Sequence, residues 1–163
     1  MTSRQRIVFQ GTIAVLTAIV AFLLIGHFAS AGHELVLRSG KTGKVFARYP
    51  MTEGDTFSVT FIHSVNQKPY TDMYRIEEEK IYAEETRFAD FGAGVETELN
   101  EGEILSTGKD GEVVISHIHK EMKHLSYIVG TVSDHILSVN EKEISLRNLC
   151  GRNATVVFTY EKK

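Results

Sequence analysis

The chain has 163 residues, 18 basic and 21 acidic, for a formal net charge of −3, with one cysteine and no tryptophan. That length suits one ordinary domain around a single core. The mildly acidic balance argues against a phosphate-neutralising, nucleic-acid-binding surface, and one cysteine excludes an intramolecular disulfide.

The N-terminus carries an export signal. Arg4 and Arg6 precede residues 7–25, a run of 19 residues without charge, and Ala29-Ser30-Ala31 follows as a small-x-small pattern. Two readings lead, with a buried core helix as the third. Residues 12–25 suit the apolar region of a signal peptide cleaved near Ala31, about 7–15 residues long. Counted from Ile7, the run reaches the about 17–25 residues of a membrane-spanning helix. Either way the two arginines stay inside, so residues 32–163 are expected to form an extracytoplasmic β domain. That part holds 16 basic against 21 acidic residues, a formal −5.

Beyond Gly32 the apolar period is close to two. Residues 34–38 read as a strand, 39–43 as a turn, and 44–49 as the returning strand that Pro50 ends. In residues 56–63, Phe57, Val59 and Phe61 share one face, as a half-buried strand requires. Residues 70–78 follow with Tyr70, Asp72, Tyr74 and Ile76 on one side, then the turn Glu77-Glu78-Glu79 and a strand over 80–88. Residues 96–109 lack periodicity and read as a long surface loop. Residues 112–119 and 124–129 read as a hairpin, 135–139 and 141–146 as a second one around Asn140, and 155–160 as a closing strand. The expected fold is all-β: a single sandwich or partly open barrel of about ten short, mostly antiparallel strands, preceded by one N-terminal apolar helix.

Three places could carry chemistry. His63-Ser64 ends a strand and opens a loop, where rigid sheets commonly carry function. Adjacent strand residues point to opposite faces, however, so the two do not make a nucleophile–base pair, and no Gly-x-Ser-x-Gly elbow occurs. In Asp90-Phe91-Gly92-Ala93-Gly94 the spaced glycines suit a tight turn and lack the βαβ context of a dinucleotide motif. His117, His119 and His124 could meet across the expected hairpin as zinc or copper ligands, although Lys120 and Lys123 share that turn. Cys150 reads as a small buried apolar residue.

His63-Ser64-Val65, then Pro69, Asp72 and Tyr74, then Phe91-Gly92-Ala93-Gly94 and Gly108-Lys109-Asp110-Gly111, stand in an order that resembles domain-of-unknown-function family 1850. The resemblance spans residues 35–160. It implies a small exported bacterial protein, typically encoded beside TAXI-type TRAP transporters for organic acids. The implied role is that of an accessory protein acting by protein contact or ligand capture on a membrane transporter or its solute-binding protein. No enzymatic activity and no cofactor are implied. The site it carries over is His63, Ser64, Asp72, Tyr74, Phe91, Gly92 and Gly94, with Asp72 where a glutamate is expected and Val95-Glu96 in place of an aliphatic-proline pair. His63 with Asp72 across a hairpin would then be an oriented imidazole. The rival readings are a metal-binding module or metal-dependent enzyme built on His117, His119 and His124, a hydrolase using Ser64 and His63, and a structural envelope module.

Overall fold

A computed structural model describes residues 32–65, 67–90 and 99–163. The expected export segment and its helix, in residues 1–31, lie outside the described residues, as do Asn66 and residues 91–98. Among the described residues no helix is long and apolar enough to cross a membrane.

The described chain starts as β1 (His33–Ser39) and folds back as β2 (Val45–Pro50). Ser39 builds the turn between them. Its Oγ accepts the N–H groups of Lys41 and Thr42, while Gly43, at φ +70°, donates to the Ser39 carbonyl at 2.8 Å. A meander follows: β3 (Thr56–Ile62), β4 (Pro69–Glu77) and β5 (Lys80–Phe88). The β4–β5 turn places Glu78 and Glu79 at φ 50° and 59°, the left-handed pair that matches strand twist in a two-residue hairpin. Glutamate does not favour that conformation, and the Glu53 carboxylate anchors the turn by accepting the Glu78 N–H at 2.6 Å.

The second half comprises β6 (Ile104–Thr107), β7 (Val113–Glu121), β8 (Leu125–Ile128), β9 (His135–Val139) and β10 (Lys142–Ser145). A single helical turn, α1 (Leu146–Cys150), and β11 (Thr155–Lys162) complete it. Ser145 caps α1 by accepting the Asn148 N–H, and Gly151 at φ 93° ends it.

Two antiparallel sheets result, ordered β2-β1-β11-β8 and β10-β9-β3-β4-β5-β7-β6. Leu35, Leu37, Val156 and Phe158 of the smaller sheet meet Phe57, Val59, Tyr74, Ile76, Leu137 and Val139 of the larger one in a common core. Phe57 and Phe158 stack across it, 6.0 Å apart and 4° from parallel. Cys150 is half-buried against this core, and burial pushes its thiol up to about 11.

The all-β class holds, but the expected architecture is corrected. Eleven strands in two sheets stand among the described residues, and the helix described is the five-residue α1, not an apolar N-terminal one. The eleventh strand is β6, inside the expected loop. All four of its residues are exposed, so no buried face imposed an alternation there. The expected hairpin of residues 112–119 and 124–129 is also corrected. β7 pairs β5 and β6, whereas β8 crosses to the other sheet and pairs β11. The alternation of Leu125 and Tyr127 demanded an apolar face, and Val156 and Phe158 of β11 supply it.

β5 contains an irregularity that matters later. Ala83 pairs Tyr74 and Glu85 pairs Met73, so Glu84 is left out of that ladder. On the other side Ala83 pairs Lys120 and Glu85 pairs Ser116, leaving residues 117–119 opposite Glu84. This is a bulge, and it lets odd-numbered Ile81 and even-numbered Phe88 both face the core, at 5% and 2% exposure.

Candidate functional site

The register of the larger sheet lines up side chains in rows across its inner face. His135, Phe61, Tyr70 and Phe88 come from four neighbouring strands and stack as a ladder, with successive centroids 4.9, 5.2 and 5.7 Å apart. The next row is Leu137, Val59, Asp72 and Thr86. A carboxylate among such neighbours must be hydrogen-bonded. Thr86 Oγ1 donates to Asp72 Oδ1 at 2.9 Å, and Tyr127 of β8 reaches over from the smaller sheet to donate to Oδ2 at 2.6 Å. Because the Tyr127 proton is committed to Asp72, Tyr74 donates to the Tyr127 oxygen, 2.5 Å away. The result is a proton-ordered chain, Tyr74 to Tyr127 to Asp72, with Thr86 on the far oxygen.

Burial raises the Asp72 carboxyl above its ordinary range, against the pull of both hydrogen bonds. The Tyr74 and Tyr127 phenols are pushed up as well, first by burial and then by the neighbouring Asp72 charge. Both therefore keep their protons throughout the physiological range. Tyr127 also meets Phe61, His135 and Phe158 edge-on, which couples the polar chain to the aromatic ladder.

His63 and Ser64 stand just beyond this ladder. The His63 N–H donates to the Lys68 carbonyl at 2.8 Å, and the His63 carbonyl accepts from Gln67, which closes the loop before β4. The His63 ring lies 6.2 Å from Tyr70, and its Nδ1 is buried with no hydrogen-bond partner among the described residues. Asp72 belongs to Tyr127 and Thr86 instead, so the expected His63–Asp72 pairing is corrected. Asp72 is level with Val59, four residues before His63 on β3. Ser64 is exposed, and its carbonyl accepts from Gln67 Nε2 at 2.6 Å. Phe91, Gly92 and Gly94 lie outside the described residues. The strand leading to them ends at Phe88, beside Tyr70, and so at the His63 end of the sheet.

A loop after β8 supports this end. Ser133 Oγ donates to the Ile62 carbonyl at 3.2 Å, and the Gly130 N–H donates to His135 Nδ1 at 3.3 Å, which makes Nδ1 the unprotonated nitrogen. Burial pushes the His135 pKa down, in keeping with that neutral form. Asp134 accepts from Ser145 Oγ and from the backbone N–H groups of His135 and Arg147, tying the loop to α1. A Cβ on Gly130 would fall 2.3 Å from the Ser133 carbonyl oxygen, a backbone atom with little freedom to retreat. Gly130→Ala is therefore expected to cost about 1–3 kcal/mol in urea unfolding, as overpacking does. Wild-type stability in that variant would mean that the loop is not held this way.

The three histidines separate. His117 and His119 sit in the bulge of β7 at φ 61° and 40°. His117 Nδ1 is 3.2 Å from Ser116 Oγ. His119 turns to Glu84 and Glu77, at 3.3 and 3.9 Å, and stacks on Tyr82. Since β8 leaves the sheet, the hairpin that was to bring His124 opposite His119 does not form. Among the described residues the group of potential metal ligands with mutual distances within 4.8 Å is Glu77, Glu84 and His119.

Sequence reasoning missed Thr86, Tyr127 and His135. The one available signal was Asp72 itself, an ionisable residue on the inward side of an alternating strand, which requires partners. Among known proteins, no curated protein and no solved structure matches the chain. Residues 57–146 match the family model described as Domain of unknown function (DUF1850), a span that holds every candidate residue above.

Proposed function

Because the chain belongs to the DUF1850 family, whose description names no activity, we propose from its site and its first residues that it is an extracytoplasmic accessory protein of a TAXI-type TRAP transporter for organic acids. It acts by binding a partner protein or a ligand at the His63 end of the larger sheet. The observation that carries this reading is His63 itself. Its imidazole stands at a strand end beside the aromatic ladder, with a ring nitrogen that the described residues leave unpaired. A buried polar atom without a partner is costly, and a bound group that supplies one recovers that cost. The export segment, with Arg4 and Arg6 before the apolar run, supports the location. The closed chain of Tyr74, Tyr127, Asp72 and Thr86 favours a structural role for those groups beneath a binding surface.

The test is co-purification of the tagged full chain from solubilised membranes, followed by His63→Ala. Wild type is expected to retain the transporter's permease or its solute-binding protein, and His63→Ala to weaken that retention about tenfold, equivalent to about 1.4 kcal/mol. Absence of any transporter component, together with unaltered organic-acid uptake when the gene is deleted, rejects the association. Undiminished retention by a folded His63→Ala variant moves the contact elsewhere.

A further inference from the structure

We propose that Glu77, Glu84 and His119 bind one divalent transition-metal ion, zinc being the reference case, on the outer face of the larger sheet. The site stands at the opposite end of β4 from Pro69 and the His63 loop, so it is independent of the function proposed above. Glu77 ends β4, Glu84 is the residue left out of both ladders of β5, and His119 belongs to the facing bulge of β7.

The distances would let an ion take the place of the hydrogen bond between His119 and Glu84. His119 Nδ1 lies 3.3 Å from Glu84 Oε1 and 3.9 Å from Glu77 Oε2. Two ligand atoms bonded at about 2.0–2.1 Å to a tetrahedral ion are about 3.4 Å apart. One edge of the required triangle is therefore already at length, and the two that involve Glu77, at 3.9 Å and within 4.8 Å, close by rotation of the Glu77 side chain. The imidazole plane is already set, because the ring stacks on Tyr82 at 4.8 Å and 12°. Arg75 faces the same carboxylate from β4, with Nε 3.7 Å from Glu84 Oε2, which orients Glu84 and leaves Oε1 for the ion. Lys80, which pairs with Glu77 across the hairpin, is tied to Glu121 at 3.0 Å. Two carboxylates and a neutral imidazole leave a fourth position for water and suit zinc. His119 and Glu77 side chains are 58% and 41% exposed, so an ion reaches them from solvent.

The experiment is calorimetric titration of zinc chloride into the metal-free full chain in detergent and a non-chelating buffer. One ion per chain is expected. His119→Ala, Glu84→Gln and Glu77→Gln should each weaken binding more than about tenfold, at least the loss seen on removing an outer-shell partner. Unchanged far-UV circular dichroism in each variant separates loss of a ligand from loss of fold. His124→Ala tests the alternative histidine grouping and should bind as wild type does. Absence of saturable binding, full binding in any of the three ligand variants, or loss of binding in His124→Ala overturns the proposal.

Discussion

Asp72→Ala is expected to lower the stability of the folded domain by about 2–3 kcal/mol in urea unfolding. The substitution leaves the Thr86 hydroxyl and the Tyr127 phenol without the acceptor each donates to, and an unsatisfied buried polar group costs about 1–3 kcal/mol. Tyr127 keeps Tyr74 as a partner, which limits the loss. Asp72→Asn separates charge from hydrogen bonding. Burial raises the folded carboxyl above its ordinary value of 3.8, so the carboxylate's charge opposes folding at neutral pH. That penalty is absent below the unfolded value, grows as pH rises towards the raised folded value, and is complete above it. Measured against Asp72→Asn, the wild type should therefore lose stability as pH rises from about 4 towards neutrality. A stability difference that is flat across that window would mean a solvated carboxylate. A cost for Asp72→Ala below about 0.5 kcal/mol, the range of ordinary surface changes, would mean that the polar chain is not buried.

Phe158→Ala should cost more, about 3–5 kcal/mol, because it opens a cavity between the sheets. Phe158 is 2% exposed, stacks on Phe57, and meets Tyr127 edge-on at 5.9 Å. The ring therefore also holds Tyr127 against Asp72. The double variant with Asp72→Ala should fall short of the sum of the two single losses, since either change alone already loosens Tyr127. The urea midpoint should drop with little change in slope. A loss under about 1 kcal/mol would show that the two sheets do not close on each other at this point.

Where one face of a strand is buried and the other solvated, the pattern could be read directly. Phe57, Val59 and Phe61 announced β3, and Tyr70, Asp72, Tyr74 and Ile76 announced the inner face of β4. Turns with polar or glycine chemistry were legible too, as at Ser39 and Asn140. Pairing was harder. Leu125 and Tyr127 required an inward face, but nothing local distinguishes a hairpin with β7 from a crossing to β11, because both satisfy the same alternation. β6, with Ile104 and Leu105 about half exposed, buries no face and left no pattern. The site divided in the same way. His63 and Asp72 could be found from their own positions, whereas Tyr127, 55 residues beyond Asp72, is joined to it only by the packing of one sheet on the other.

The residue skipped at Glu84 gives β5 two reading frames. Up to Ala83 the odd positions spell the interior, and from Thr86 the even positions do, with Glu84 as the single extra letter between them. A chain lacking that letter could keep either its Ile81 half or its Phe88 half in phase with the interior, but not both. Related chains laid beside this one therefore keep their inward residues in register through β5 only if position 84 has its own column.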